Sequence, residues 1–342
     1  MSRPIFTSLF LTFVAGLAGS FSASAQTKPQ SNSEPPQDID VVRVSTTLVT
    51  VPVSVMDRNG RFIPDLKQDQ FHLFEDGIEQ QIAFFDNAEQ PFTVALLLDV
   101  SDSAAAKLTQ IKDAAAAFVN ELRPNDRVMI VTFDKRITIL CEATSDRDLL
   151  NAAIYRAQSG GGTSLYSAID LVITKRLKRI RGRKAIVLFT DGVDTTSRDA
   201  TYESTLRTAE ELDALIYAIQ FNTYADVAKT QTNPASLDPA QGSSSVVTSK
   251  GEALTVAYKR AERYLQLLSD KTAGRFYFAA SLGHLKEIFA RIAAELREQY
   301  SLGFYPSNKS ATKSRRELKV KVSLPNVAIR SRRSYIYAAP AQ

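Results

Sequence analysis

Five oxygen-bearing side chains lie at three separated places in the sequence, and their types suggest a cation site. Asp99, Ser101 and Ser103 end one apolar run, Thr163 follows three consecutive glycines, and Asp191 ends a second apolar run. No histidine or cysteine is close to any of them in sequence. Carboxylates and hydroxyls suit hard cations that keep several waters, so the set predicts a site for Mg²⁺, with Mn²⁺ or Ca²⁺ as alternatives.

The segments around these side chains predict how they are positioned. The runs 93–98 and 184–190 are short, aliphatic and not alternating, which is typical of strands buried on both faces of a parallel sheet. Strand-like and helical segments alternate regularly over residues 91–298, which predicts a doubly wound α/β three-layer sandwich. Right-handed crossovers would bring the three polar stretches to one sheet edge, where such folds bind ligands.

A resemblance to a known family is visible at these positions. The D-x-S-x-S run at Asp99–Ser103, Thr163 in its Gly-rich loop and the T-D-G at Thr190–Gly192 resemble the metal-ion-dependent adhesion site (MIDAS) of von Willebrand factor type A domains. The order and spacing of the three pieces match that family over residues 90–296. The resemblance implies a Rossmann-like fold and a protein-binding, adhesion-type module.

The resemblance also implies roles for the five residues. Ser101, Ser103 and Thr163 would bind the ion directly, and Asp99 and Asp191 would often act through water. Hydroxyl ligands add little negative charge, so the ion would stay electrophilic and could accept an Asp or Glu carboxylate from a protein partner.

One residue departs from the family pattern, and two short segments outside the three motifs resemble a subgroup of the family. At Asp102 a small residue such as Gly is commoner in the family; the acid would either favour Ca²⁺ or face solvent. The segments Asp57–Gly60 and Tyr300–Tyr305 are similar to the acidobacterial "VWFA-related" proteins.

Other interpretations of the same residues stay open. Asp99 and Ser101 could cap a helix, Gly160–Gly162 could be a plain loop, and Asp191 could belong to an ordinary turn.

The phosphate-loop and nucleophile-elbow motifs are absent, and a D-x-D phosphotransferase motif would need an acid at Ser101. We therefore expect a binding module rather than an enzyme. The alternatives are a metal-dependent, phosphatase-like hydrolase and a structural envelope module with a vestigial metal site.

The N-terminal segment predicts export. Arg3 precedes an apolar run over residues 5–18, and small residues end at Ala25. This pattern predicts a signal peptide over residues 1–25, cut before Gln26, and a secreted or periplasmic mature protein. The apolar run is shorter than the ~20 residues of a membrane span, and no later stretch predicts one.

Charge and cysteine content narrow the class of partner. The formal net charge is +5, but the basic clusters at 175–184 and 315–333 are not interleaved with aromatic residues. A nucleic-acid partner is therefore not expected, whereas a protein partner is. Cys141 is the only cysteine, so no intramolecular disulfide can form. The sequence does not predict an oligomeric state.

The remaining segments predict the domain organisation. Residues 26–40 are polar and Pro-rich, which is typical of a flexible linker. The strand-like flanks 41–90 and 299–338 are expected to form one small β-rich domain beside the von Willebrand factor type A domain at 91–298. Within that domain, the polar stretch 222–251 predicts an insertion that leaves the sheet at the metal-site edge, either a mobile loop near the ligand face or a plain surface insertion.

Overall fold

The structure is a computed structural model that describes part of the chain. The predicted signal peptide, the linker and most of the predicted insertion 222–251 lie outside the described residues. The described residues belong to one compact unit. They are 48–86, 90–221, 223–224, 227, 247–248, 250–279, 282–308 and 314–337.

The strands and helices of the described residues have the following bounds. The strands are β1 (Val49–Met56), β2 (Phe71–Glu75), β3 (Ile78–Gln80), β4 (Ile82–Asp86), β5 (Phe92–Asp99), β6 (Arg127–Phe133), β7 (Ile137–Thr144), β8 (Arg183–Thr190), β9 (Leu215–Phe221), β10 (Phe276–Ala279), β11 (Tyr300–Phe304), β12 (Ser314–Val322), β13 (Ala328–Ser331) and β14 (Ser334–Tyr337). The α-helices are α1 (Leu108–Glu121), α2 (Arg147–Tyr155), α3 (Leu165–Leu171), α4 (Tyr202–Glu211), α5 (Leu254–Lys271) and α6 (Leu285–Arg297). No helix of this described part is both long enough and apolar enough to cross a membrane.

A six-stranded sheet forms the centre of the fold. Its strand order is β10-β9-β8-β5-β6-β7, and all neighbours are parallel except β6 and β7. Every residue of β5 is buried, as its non-alternating apolar sequence predicts. The doubly wound α/β architecture predicted from the sequence is confirmed.

Helices cover both faces of this sheet, which makes three layers. On one face Leu96 belongs to a core with Phe118 of α1 and Phe289 of α6, whose ring centroids are 5.1 Å apart. On the other face Leu97 belongs to a core with Tyr264 of α5. Successive residues of β5 thus serve opposite cores, and this rigid packing fixes the end of the strand where the predicted site begins.

Two helical segments differ from the sequence-based expectation. The helical periodicity of residues 104–122 predicts one continuous helix, but a 3₁₀ turn over Asp102–Lys107 precedes α1. The amphipathic pattern of residues 164–180 predicts a second continuous helix, but beyond α3 the chain continues as a π turn at Val172–Arg176. β-Branched residues disfavour the α-helix here, and the Thr174 hydroxyl donates to the Asp170 carbonyl at 2.8 Å.

Two four-stranded sheets combine strands from both flanks of the central unit. Their orders are β13-β1-β11-β4 and β14-β12-β2-β3. Val49 pairs with Phe304 in the first sheet and Leu73 with Val320 in the second, all antiparallel. The strand β13 was not expected from the sequence. The domain boundaries at residues 90 and 299 stay a prediction.

Candidate metal site

The candidate site lies at the topological switch point of the central sheet, on either side of which successive strands are added in opposite directions. The chain passes from β5 through α1 to β6 on one side and returns to β8 on the other side of β5. Asp99 is the last residue of β5, and Asp191 directly follows β8. Loops diverge between such strands and leave a crevice at their carboxyl ends, which is where open α/β sheets bind ligands.

Hydrogen bonds join four of the five predicted residues into one cluster. The Ser103 hydroxyl donates to Asp191 Oδ2 at 2.8 Å, and the hydroxyls of Ser101 and Ser103 are 3.1 Å apart. The backbone N–H of Ser101 donates to Asp99 Oδ1 at 3.0 Å. The 3₁₀ turn before α1 holds Ser103 in this position, so the change from the expected helix belongs to the site.

Thr163 lies between the loops that follow β5 and β8. The N–H of Gly160 donates to the Val100 carbonyl at 2.9 Å, which ties the glycine loop to the end of β5. The N–H groups of Thr195 and Thr196 donate to the Thr163 carbonyl at 2.9 and 3.0 Å. Among the residues that the structure describes, the Thr163 hydroxyl makes no hydrogen bond to the other four.

The glycine loop requires glycine for close packing. A Cβ on Gly160 would lie 1.9 Å from Asp134 Oδ2, and one on Gly162 would lie 2.8 Å from Thr196 Cγ2. Gly162 also has a φ of +76°, which L side chains rarely adopt. These contacts fix the loop against its neighbours, which disfavours the interpretation of Gly160–Gly162 as a plain loop.

Two carboxylates are buried at the centre of the cluster. Asp99 is fully buried and Asp191 is 2% exposed. Burial and the nearby charge of Asp191 raise the pKa of Asp99 from 3.8 to about 7. Thr190 donates to Asp99 Oδ2 at 2.6 Å. A divalent cation would neutralise both carboxylates, so this donor set fits a hard cation.

Three residues of the site were not predicted from the sequence. The Thr223 hydroxyl donates to Asp191 Oδ2 at 2.7 Å, and the Tyr258 hydroxyl is 3.5 Å from the same oxygen. Burial and the charge of Asp191 raise the pKa of Tyr258. Gln220 Nε2 donates to the main-chain carbonyl of Asp191 at 3.0 Å. These residues come from the end of β9 and from α5, and no local motif marks them.

The surroundings of the cluster leave room for a partner. Asp102 is exposed at the rim. An open cavity of about 490 Å³ lies beside the cluster, lined by 134–136, 160–162 and 195–196. No group of three or more His, Cys, Asp or Glu side chains that could hold a metal occurs in the described part of the chain. A cation at the cluster would therefore depend on hydroxyl ligands.

Sequence comparisons agree with this geometry. Residues 94–193 match the family model of the von Willebrand factor type A domain, and this range includes all five predicted residues. A UPF0353 protein of Mycobacterium sp. (strain KMS) is 23% identical over 224 residues, covering 59% of this chain and 60% of the relative. An uncharacterized protein of Synechocystis sp. is 27% identical over 168 residues, covering 48% of this chain and 39% of the relative. The chain thus spans about 60% or less of these relatives' lengths.

Solved structures similar to this chain include the following two. A von Willebrand factor type A protein from Catenulispora acidiphila has a TM-score of 0.47 at 9% identity, covering 86% of this chain and 74% of that one. Proximal thread matrix protein 1 from the mussel byssus, solved with a zinc-occupied MIDAS motif, has a TM-score of 0.42 at 16% identity, covering 64% and 48%.

Proposed function

The chain carries a von Willebrand factor type A domain, and we propose that it is a secreted or periplasmic module that binds a protein partner through a divalent cation, Mg²⁺ in the first place. Domains of this family typically mediate protein interactions. The observation that carries the proposal is the cluster of Asp99, Ser101, Ser103 and Asp191 at the sheet's switch point.

Each residue has a proposed role at the cation. The hydroxyls of Ser101, Ser103 and Thr163 hold the ion directly, and the buried carboxylates of Asp99 and Asp191 balance its charge through water. The bound ion supplies an electrophilic position for an Asp or Glu carboxylate of the partner. Among the described residues, the proposed contributions to the site are hydroxyl ligands and second-sphere acids, so the partner completes the coordination.

The rim beside the cluster supports an acidic partner. Lys135 and Arg136 are exposed and line the open cavity next to the glycine loop. Positive charge at a rim steers an acidic segment towards the ion and raises the association rate more than the affinity.

Calorimetric titration tests the cation site. We expect MgCl₂ to bind the mature protein with 1:1 stoichiometry and to bind the Asp99→Ala and Ser103→Ala variants at least tenfold more weakly. The matched control is Asp102→Asn, which changes an exposed acid of the same loop and should bind Mg²⁺ like the parent. Equal Mg²⁺ binding by the parent and Asp99→Ala would contradict the proposed site. Absence of binding of Mg²⁺, Mn²⁺ and Ca²⁺ to the parent would favour a structural module with a vestigial site.

Affinity capture tests the binding function. Immobilised mature protein should retain a partner from envelope extracts in MgCl₂ and release it in EDTA, and Asp99→Ala should retain none. A partner held equally well in EDTA would contradict a metal-bridged interaction. The hydrolase alternative makes a different prediction, namely Mg²⁺-dependent turnover of a phosphoester substrate that Asp191→Ala abolishes.

N-terminal sequencing of the exported protein tests the localisation. The mature chain should begin at Gln26. Retention of residues 1–25 in the exported protein would contradict the predicted cleavage site.

A further inference from the structure

The strands β12 and β13 are joined by a short turn, yet they separate instead of pairing. Within the described stretch 314–337, β12 pairs outward with β2 and β13 pairs outward with β1. A cavity of about 1100 Å³ lies between them. The backbone N–H of Leu318 donates to the Arg333 carbonyl at 2.8 Å, which closes the gap where β14 begins to pair with β12.

The cavity is lined mainly by β12 and β13, and Phe74 of β2, Gly77 and the segment at the end of α5 complete the lining. On one side it is lined by residues 317–321 of β12, and on the other by residues 329–331 of β13. Side chains alternate between the two faces of a strand, so a wall of consecutive residues exposes the backbone edge. The edge of β12 is paired with β14 as far as Glu317 and lacks a neighbouring strand only beyond Leu318. This short open edge and the outer edge of β13 therefore border the same space.

The cavity carries an excess of basic side chains. Arg315 is paired with Glu210 at 3.0 Å, and Arg330 is paired with Glu295. Lys319 and Arg333 are exposed, and neither has an acidic partner within salt-bridge distance among the described residues. The charged lining residues are Arg315, Lys319, Lys321, Arg330 and Arg333 against Asp270 and Glu317.

The two faces of β12 differ in character beside the gap. Lys319 and Lys321 are exposed on the outer face, where the Lys321 ammonium lies 4.9 Å from the centroid of the Phe74 ring. Leu318 and Val320 are buried on the inner face, in the core between the two flank sheets. A strand lying along this edge would therefore meet positive charge on one face and aliphatic side chains on the other.

We propose that the cavity between β12 and β13 binds an extended acidic peptide segment of a partner protein as an added strand. The segment's main chain bonds to the two open edges. Its alternate acidic side chains face Lys319, Lys321 and Arg333, and its alternate aliphatic side chains pack towards Leu318 and Val320. Added strands gain affinity from main-chain hydrogen bonds and specificity from alternate side chains.

A model peptide tests this directly. The probe is a fluorescein-labelled octapeptide in which Glu and Val alternate, and its binding to the mature protein is measured by fluorescence anisotropy in EDTA. We expect saturable binding that weakens at least tenfold in the double variant Lys319→Gln, Arg333→Gln. The matched control, Lys178→Gln with Arg179→Gln, removes two exposed charges outside the cavity and should bind like the parent. Equal binding by the two double variants, or no binding by the parent, would overturn the proposal.

Backbone modification distinguishes an added strand from simple charge attraction. Two further octapeptides carry N-methyl groups on all valine amides or on all glutamate amides, which removes the donors towards one edge or the other. Each should bind at least tenfold more weakly, and the unmodified peptide should slow amide hydrogen exchange in 318–322 and 328–331. Unchanged binding of both N-methylated peptides, together with competition by polygalacturonate, would identify a polyanion site and overturn the proposal.

The anisotropy measurement also distinguishes this site from the metal site. The Asp99→Ala variant should bind the octapeptide like the parent, because Asp99 lies at the central sheet and does not line this cavity. A failure of Mg²⁺ binding would thus leave the peptide result unaffected.

Discussion

Replacing Asp99 with Asn should stabilise the metal-free protein at pH 8 and remove the stabilisation that Mg²⁺ provides. Asp99 is fully buried and faces a second carboxylate, Asp191, so its charge is unfavourable when no cation is bound. An Asn at this position can still accept from the N–H of Ser101 through Oδ1. Its amide can donate to the Thr190 hydroxyl, which can rotate to accept.

The magnitude follows from the pKa of Asp99. A rise from 3.8 to about 7 corresponds to a cost of about 4 kcal/mol once the group is ionised in both states. The folded state binds the proton more tightly than the unfolded state. The protonated carboxyl therefore stabilises the fold fully below the unfolded pKa, and this stability is lost as pH rises from about 4 to about 7. We expect Asp99→Asn to gain about 2 to 4 kcal/mol at pH 8, and progressively less towards pH 4.

Urea denaturation in EDTA and in excess MgCl₂, at pH 4 and pH 8, measures this effect. In EDTA at pH 8 the variant should have the higher free energy of unfolding, whereas in MgCl₂ the parent should gain more stability than the variant. The control Asp102→Asn changes an exposed acid of the same loop and should match the parent in EDTA. A variant that is less stable than the parent in EDTA at pH 8 would refute the reasoning from buried like charges.

Three further predictions concern packing, buried charge and domain boundaries. Gly274→Ala should destabilise by about 3 kcal/mol or more in thermal unfolding, because its Cβ would lie 2.0 Å from the Ile216 carbonyl oxygen; an unchanged melting temperature would contradict the packing. Glu75→Ala should cost about 3 to 5 kcal/mol in urea denaturation, because it leaves the buried guanidinium of Arg316 without the carboxylate 3.0 Å away. The double change to Glu75→Ala with Arg316→Met should recover much of that loss. A fragment of residues 91–298 should unfold cooperatively by circular dichroism and be stabilised by Mg²⁺, and a non-cooperative transition would contradict the proposed domain boundaries.

The central sheet was predictable because its sequence pattern has one dominant cause. The strands β5 and β8 are buried on both faces, so their sequences are aliphatic without alternation. The polar residues Asp99 and Asp191 then mark the strand ends, and the βα order of the chain brings those ends together. In the central sheet, the aliphatic sequence of each strand and its position inside the sheet both result from burial of the strand on its two faces.

Other features depend on contacts between residues distant in sequence. The segment that forms β13 contains Ile, Arg and Ser without a clear alternation, and it becomes a strand because β1 offers it an edge. Thr223 and Tyr258 reach Asp191 only after β9 and α5 have packed, so no spacing in the sequence marks them. The 3₁₀ turn at Asp102–Lys107 likewise holds Ser103 against Asp191, which follows β8 and is distant in sequence.

The central position of β1 in its sheet affects the order in which the chain can fold. Val49 pairs with Phe304 and Val53 with Ser331, so both neighbours of β1 are synthesised after the whole central sheet. Pairings of such high contact order form slowly, and until they form β1 exposes two unpaired edges. A nascent chain would therefore complete its αβα layers first and need protection from aggregation at β1 until β11 and β13 emerge.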